Sequence, residues 1–269
     1  MPDLAPRQLI LTLYGLYARD EHNWLSVASV VQLLSDLDAE PAGVRSSISR
    51  LKRRGVLESL KVDGTAGYRL SDSALEVLRE GDTRIFKHQR AHLSDGLVLV
   101  VFSIPETERD RRHRLRSTLS GMGFGTVAPG VWAAPGTMEE VAGETIERIG
   151  LRQYVDIFRT RATDADELRP RVAEWWDLPA IQREYDEFVA TYRDTPARLK
   201  GSGDLPRQAF CTYLPMLTEW RRLPYRDPGL PAEVLPADWV GRRAADLFTD
   251  LDALLRSPAR EHALRTIHA

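Results

Sequence analysis

The chain has 269 residues, of which 43 % are hydrophobic and 28 % charged, and its formal net charge is −2. This length and composition predict a globular protein of two or three domains. The single cysteine, Cys211, excludes an internal disulfide. No apolar run approaches the roughly 20 residues of a membrane span, and residues 1–8 lack the pattern of a signal peptide, so we expect a cytoplasmic protein.

The charge is unevenly distributed along the chain. A slightly acidic total is not typical of a nucleic-acid-binding protein. Residues 41–70, however, contain seven Lys and Arg against two Asp and Glu. Because the local field decides which partners a surface attracts, this segment is a candidate for contact with a polyanion.

Three helices are predicted before residue 55. Apolar residues recur at helical spacing between residues 9 and 17, which predicts the first helix. The second follows Ser26, a suitable N-cap. The third begins near Pro41, a residue favoured in the first helical turn, and stops before Gly55.

The third predicted helix has two different faces. Its apolar residues Val44, Ile48 and Leu51 fall on one side. Guanidinium and hydroxyl groups occupy the opposite side, contributed by Arg45, Ser46, Ser49, Arg50 and Arg53. One side is therefore expected to be buried and the other to face a partner or solvent.

A β-hairpin is predicted after the third helix. Residues 56–62 and 67–70 resemble short strands, and Asp63-Gly64 between them is a turn signal. Three helices and a hairpin make a winged helix-turn-helix, whose third helix enters the major groove of DNA while the wing touches the backbone. The alternative is a merely solvated basic face. Such faces usually mix charges of both signs, whereas residues 44–56 contain no acid.

The residue types predict separate roles on double-stranded operator DNA. Arginine and short hydroxyl side chains read base edges, and cations hold phosphates. The candidates for base reading are Arg45, Ser46, Ser49 and Arg50, and those for phosphate contact are Lys52, Arg53, Arg54, Lys61 and Arg69.

The middle of the chain predicts a ferredoxin-like module. A helical connector covers residues 73–92, and residues 97–103 form a continuous apolar run typical of a buried strand. A helix, two strands, a helix and a strand follow at residues 106–122, 125–127, 131–134, 138–149 and 154–159. The order βαββαβ is the ferredoxin-like arrangement, which hosts many functions and decides none of them.

A second basic cluster lies on the first helix of this module, at Arg109, Arg111, Arg112, Arg114 and Arg116, with His113. Acidic residues are mixed into the same helix, which favours a solvated face. A phosphate contact or a subunit contact are the alternatives for this cluster.

The last third of the chain predicts a mainly α-helical domain rich in aromatic residues. Its final helix is expected to end near Leu255, after a turn-rich segment at residues 223–231. We therefore predict a multidomain α+β protein. Its parts are a winged helix-turn-helix at 1–82, a connector at 83–96, a ferredoxin-like domain at 97–163 and a helical C-terminal domain at 164–269.

Three sequence blocks resemble the PaaX-type transcriptional repressors, and together they span nearly the whole chain. The first is Arg-Ser-Ser-Ile-Ser-Arg-Leu at 45–51 with Gly-Tyr-Arg-Leu at 67–70. The second joins Val-Val-Phe-Ser-Ile-Pro-Glu at 100–106 to Gly-Phe-Gly at 123–125 and Pro-Gly-Val-Trp at 129–132. The third pairs Asp-Pro-Gly-Leu-Pro at 227–231 with Leu-Pro-Ala-Asp-Trp at 235–239. Three blocks in the right order make a specific match.

The resemblance implies a homodimeric repressor of an aromatic-acid catabolic operon, released by an aryl-coenzyme A effector such as phenylacetyl-CoA. A dimer would place its two third helices in successive major grooves about 34 Å apart, and the effector would favour a spacing that no longer fits the operator. Such a ligand needs cations for its phosphates and an apolar pocket for its acyl group. The candidates are Arg222, Tyr225, Arg226 and Trp239, with Arg221 beside them, and a purely structural corner is the alternative.

Two other functions remain open at this point. The middle module also resembles the small nuclease of CRISPR adaptation systems, but Ser103 stands where a metal-binding aspartate is required. The pair His88 and His92 lacks the glutamate of a zinc protease helix. We therefore expect no enzyme activity, metal or cofactor. The second alternative is a protein-interaction adaptor whose winged helix binds a protein partner.

Overall fold

The computed structural model describes residues 4–87, 90–161, 164–200 and 203–269. Its helices are α1 (Pro6–Leu13), α2 (Val27–Ser35), α3 (Pro41–Arg53), α4 (Asp72–Phe86), α5 (Arg109–Gly121), α6 (Glu139–Arg148), α7 (Ala165–Trp175), α8 (Leu178–Tyr192), α9 (Thr195–Leu199), α10 (Leu205–Trp220), α11 (Leu223–Arg226) and α12 (Gly241–Ile267). Its strands are β1 (Trp24–Ser26), β2 (Leu57–Val62), β3 (Thr65–Leu70), β4 (Leu97–Phe102), β5 (Gly125–Ala128), β6 (Val131–Pro135) and β7 (Val155–Arg159). The described residues thus form a mixed α+β protein with two small sheets and a helical C-terminal region.

Contacts divide the chain into two compact units. The first unit comprises Met1–Phe86, Phe188–Arg221 and Arg243–Ala269, and the second comprises Lys87–Glu187 and Arg222–Arg242. The helical C-terminal region therefore contributes to both units. The domain boundaries at 82, 96 and 163 stay a prediction.

The first unit begins with three helices and a three-stranded antiparallel sheet in the order β1-β3-β2. The Ser26 hydroxyl accepts a hydrogen bond from the Ser29 amide at 2.9 Å, which confirms it as the N-cap of α2. Strand β1 was not expected from the sequence. Its three residues form a strand because Leu25 pairs with Tyr68 of β3, a contact distant in sequence.

The turn between β2 and β3 confirms the predicted hairpin. Val62 pairs with Thr65, so Asp63 and Gly64 make a two-residue loop. Both have positive φ angles, 47° and 80°. Two consecutive residues of positive φ define a type I′ turn, whose twist matches that of the strands it joins.

Helices from the C-terminal region complete the core of the first unit. Trp220 of α10 is fully buried, stacks on Phe248 of α12 at 4.5 Å, and donates from its indole nitrogen to the carbonyl of Ile85. The hydroxyl of Thr218 donates to that of Thr12 in α1 at 2.8 Å. The N-terminal helices are thus bonded directly to α10.

Helix α12 continues well past its predicted end at residue 255. Pro258 lies inside it, yet the helix runs on to Ile267. Ala259 and Ala263 have no exposed surface, so their burial holds the last turns in place against the cost of the proline. No helix in the described ranges combines the length and apolar character needed to cross a bilayer.

The second unit contains a four-stranded antiparallel sheet in the order β5-β6-β4-β7. Together with α5 and α6 the element order is βαββαβ, so the middle module fits the predicted ferredoxin-like arrangement. Val98 and Val100 of β4 pack with Leu115 and Leu119 of α5 and Ile146 of α6 in one buried cluster. The apolar run at 97–103 is therefore the central strand of a core, as its composition predicts.

Candidate DNA-binding surface

Helix α3 separates an apolar face from a basic one. Val44, Ile48 and Leu51 are at most 2 % exposed, and they pack the helix into the first unit beside α1 and α2. Ser47 is also buried on this face. The predicted apolar side of the third helix is thus its buried side.

The opposite face of α3 is exposed and carries the predicted contact residues, namely Arg45, Ser46, Ser49, Arg50, Lys52 and Arg53, with Arg54 directly after the helix. Within the described ranges, no carboxylate lies at ion-pair distance from these cations. The Arg50 Nε donates only a long bond of 3.4 Å to the Ser46 carbonyl of its own helix. This face therefore presents unneutralised guanidinium groups beside short hydroxyls.

The hairpin presents its two predicted phosphate contacts differently. Lys61 is exposed near the tip of β2, without a carboxylate at ion-pair distance among the described residues. Arg69 of β3 lies opposite Glu58 of β2, and its Nη2 is 2.7 Å from Oε2 of that glutamate. Both side chains of this pair are about half exposed, so the interaction is weak and a phosphate can compete for the arginine.

The position of the hairpin is held by Trp24. Its indole nitrogen donates to the Leu60 carbonyl at 3.1 Å, and its ring lies over Gly67. A Cβ atom at Gly67 would lie 2.4 Å from that ring and 2.5 Å from the Leu25 carbonyl oxygen. Glycine is therefore required at this position of the Gly-Tyr-Arg-Leu segment.

Three of the five arginines of the second basic cluster contact neighbouring acids. On α5, Arg109 and Arg112 contact Glu106, and Arg111 contacts Glu108. These contacts support the solvated face that the mixed charges predict.

The four predicted effector residues lie in the second unit, where Arg226 and Trp239 have the following structural partners. Arg226 forms an ion pair with Glu184, and Arg222 is exposed. The Trp239 ring meets that of Tyr185 edge-on at 5.9 Å and lies 5.8 Å from the Arg90 guanidinium. The effector site at these four residues stays a prediction.

The Asp-Pro-Gly-Leu-Pro segment begins with a buried carboxylate, that of Asp227. Asp227 is 1 % exposed and contacts Arg90 Nη2 at 2.7 Å, the Tyr185 hydroxyl at 2.9 Å and the Gly229 amide at 2.8 Å. Burial, together with the charge of Asp227, raises the pKa of Tyr185 well above its ordinary value, so the phenol stays protonated and donates. Sequence reasoning did not identify this network, because Arg90 lies 137 residues from Asp227.

A second cluster that sequence reasoning missed joins α2 to the C-terminal helices; we call it the Asp36 cluster. One carboxylate oxygen of Asp36 accepts from Arg207 Nε at 2.9 Å, and the other lies 2.8 Å from His262 Nε2. The Cys211 thiol donates to the Asp36 backbone carbonyl at 3.2 Å. Asp36 directly follows α2, so α10 and α12 are bonded to the end of that helix.

The residues on which the enzyme alternatives depend do not form a metal site among the described residues. Ser103 is exposed immediately after β4, at the position where the nuclease requires a carboxylate. In the described part of the chain, no three His, Cys, Asp or Glu residues form a group that could hold a metal ion. His88 lies outside the described residues.

Three family models match successive parts of the chain. Residues 5–74 match the PaaX-like protein family, residues 91–172 the PaaX protein central Cas2-like domain, and residues 176–265 the PaaX-like protein C-terminal domain. The transcriptional repressor PaaX of Escherichia coli (strain K12) is 30 % identical over 250 residues, which are 90 % of this chain and 78 % of that protein. The chain belongs to the PaaX family. This membership and the named relative support the function of a transcriptional repressor.

A solved structure shares the fold of this PaaX-family chain. It is the uncharacterised protein Rv0674 from Mycobacterium tuberculosis, with a TM-score of 0.59 and 22 % identity over 97 % of this chain and 99 % of that chain. The Cas2-like match spans β4 to β7, the elements of the four-stranded sheet.

Proposed function

We propose that this PaaX-family chain is a sequence-specific DNA-binding transcriptional repressor whose residues 1–82 form a winged helix-turn-helix. The observation that carries the proposal is the exposed face of α3, which is basic, free of acids and backed by a buried apolar face. A recognition helix in the major groove needs this combination of anchoring and reading faces.

The residues of α3 and the hairpin divide into two roles in this proposal. Arg45 and Arg50, with Ser46 and Ser49, are the base-reading residues, because arginine forks pair with guanine edges and hydroxyls accept or donate to any base. Phosphates are held by the remaining cations of this surface, which are Lys52, Arg53, Arg54, Lys61 and Arg69. The hairpin that the type I′ turn at Asp63-Gly64 closes contacts the DNA backbone in this proposal.

The functional unit in this proposal is a homodimer on a two-fold operator. Two copies of α3 would enter successive major grooves about 34 Å apart. The regulated genes belong to an aromatic-acid catabolic operon, and an aryl-coenzyme A such as phenylacetyl-CoA shifts the dimer to a spacing that no longer matches. A ligand can do this only through its different affinity for the two states.

The assignment of α3 is tested with Arg50→Ala and the control Arg171→Ala, an exposed arginine of α7 in the second unit. Binding is measured by fluorescence anisotropy on DNA from the upstream region of the protein's own gene and on unrelated DNA. Loss of one bidentate guanine contact costs about 1–3 kcal/mol on the specific DNA and less on unrelated DNA. Operator affinity of Arg50→Ala equal to that of wild type would show that α3 does not read the sequence.

One observation favours the alternative function, a protein-interaction adaptor. Leu60 and Val62 of β2 are 41 % and 37 % exposed, and apolar hairpin residues are suited to a protein partner. Two separate side chains are a small patch beside the basic face of α3, so DNA is the partner we propose. The nuclease alternative would need carboxylates at the end of β4, where this chain has Ser103.

A further inference from the structure

A cavity of about 300 Å³ lies between the end of α8, α9 and α10. All residues that line it belong to the first unit, which also contains α1 to α4. The apolar part of its wall is formed by Tyr192, Leu199 and Pro215. The volume is at the lower end of the range of about 300–1,000 Å³ found for small-molecule sites.

The polar groups of the cavity favour a negatively charged ligand. Arg198 lines it, and none of its described lining residues is an Asp or Glu. The Arg198 Nη2 donates to the Thr195 hydroxyl at 2.9 Å and to the Thr191 carbonyl at 3.3 Å, which holds the guanidinium at the cavity. A guanidinium beside an apolar wall suits a carboxylate attached to an apolar body.

The wall of the cavity is bonded to the end of α2. Cys211 lines the cavity, and its thiol donates to the backbone carbonyl of Asp36. Arg207, one turn earlier in α10, pairs with the carboxylate of the same residue. Helix α2 packs on α3, so a change in the position of α10 reaches the basic face through one intervening helix.

We propose that this cavity binds a small molecule with an apolar body and one carboxylate, and that its occupancy acts on α3 through Cys211 and Asp36. The second half of the proposal rests on the proposed DNA-binding function. The site is separate from Arg222, Tyr225, Arg226 and Trp239, which belong to the second unit.

The single cysteine of the chain provides a direct readout of the cavity. Iodoacetamide alkylates Cys211, and intact-protein mass spectrometry gives the rate of this reaction. The rate reports how accessible the Cys211 side of the cavity is to the reagent. The probes are benzoate, benzyl alcohol and benzylamine, which carry a negative, a neutral and a positive group on the same ring. Benzoate at about ten times its dissociation constant should slow alkylation about tenfold, and benzylamine should leave the rate unchanged.

Variants of two nearby arginines test the role of the charge. Arg198→Gln removes the guanidinium of the cavity and should abolish protection by benzoate, whereas Arg198→Lys keeps the charge and should retain part of it. The control is Arg193→Gln, because Arg193 is 66 % exposed and does not line the cavity. Thermal unfolding of each variant confirms that the fold is intact.

The proposed action of the occupied cavity on α3 is tested by measuring affinity for the upstream DNA in the same buffer. Saturating benzoate should change the DNA affinity of wild type and leave that of Arg198→Gln unchanged. An unprotected thiol in wild type, or equal protection by benzylamine, would overturn the ligand assignment. A protected thiol with unchanged DNA affinity would overturn the action on α3. If the protein fails to bind specific DNA at all, the proposed function fails, while the alkylation rates still decide the ligand site.

Discussion

Asp36 and His262 form a hydrogen bond of 2.8 Å between Oδ2 and Nε2, although 226 residues separate them in the sequence. Both side chains are 12 % exposed. The other carboxylate oxygen of Asp36 accepts from Arg207. Because Asp36 follows α2 and His262 lies in α12, the C-terminal helix stabilises the part of the chain that carries the candidate DNA-binding surface.

Replacement of His262 by alanine should lower the free energy of unfolding by about 1–3 kcal/mol, because it leaves a partly buried carboxylate oxygen without its partner. Urea unfolding followed by circular dichroism measures the change. The control is His268→Ala, whose side chain is 58 % exposed and contacts Glu21 at the surface. That variant should change stability by less than about 0.5 kcal/mol. Equal losses in the two variants would contradict the role given to the Asp36 cluster.

Replacement of Asp227 by asparagine should destabilise the protein strongly. Its side chain has no exposed surface and pairs with Arg90, which is 19 % exposed. Breaking a buried pair by removing one charge costs about 3–5 kcal/mol, since the other charge is left uncompensated. Asp166→Asn is the matched control, because Asp166 is 84 % exposed. A loss of less than about 1 kcal/mol at Asp227 in the same unfolding assay would be inconsistent with this network.

Two glycines of the candidate DNA-binding surface should respond in opposite directions to alanine. Gly67→Ala places a methyl group against the Trp24 ring and a backbone carbonyl, so it should cost about 1–3 kcal/mol. Gly43, inside α3, has no atom within 4 Å of the place that an added methyl group would occupy, and alanine there should add about 0.5–1 kcal/mol through helix propensity. Thermal unfolding of the two variants measures both stability changes. A neutral Gly67→Ala would refute the close packing of Trp24 on the hairpin.

Removal of the Glu58 charge should strengthen binding to every DNA sequence alike. The Glu58 carboxylate holds Arg69, and Glu58→Gln releases that guanidinium for a phosphate. The slope of log affinity against log salt should steepen by up to about one unit. Glu174→Gln, an exposed change of equal charge in α7, should leave the slope unchanged. A selective gain on one sequence would place Arg69 at a base edge instead.

Alkylation of Cys211 should rise steeply with pH. Burial raises the pKa of its thiol to about 11, so the neutral form dominates at pH 7 to 9 and the reactive thiolate is a small fraction. Each pH unit in this range should therefore increase the rate about tenfold, without a plateau. Mass spectrometry of the iodoacetamide adduct gives the rate, and a plateau below pH 9 would show that the surroundings of the thiol do not raise its pKa.

The local elements could be predicted because their signals are contained in short segments. The alternation of Val44, Ile48 and Leu51 with arginines and serines predicts both faces of α3, and Asp63-Gly64 predicts the hairpin turn. The same holds for the order of strands and helices in the ferredoxin-like module.

The remaining features depend on contacts between distant residues, and a single sequence carries no signal for them. Strand β1 exists through its pairing with β3, and the Asp36 cluster joins α2 to helices more than 170 residues later. The cavity beside Cys211 is likewise formed by three helices whose packing the sequence does not show. Pairing of Arg69 with Glu58 follows from strand register, which composition alone does not define.

The central claim is that this chain reads a DNA sequence, and it is tested most directly by binding to its own upstream region across a salt series, with unrelated DNA as competitor. We expect tight binding that weakens steeply as salt increases and that persists in the presence of the competitor. Binding that the competitor removes at every salt concentration would contradict the claim and favour a protein partner for the hairpin and α3.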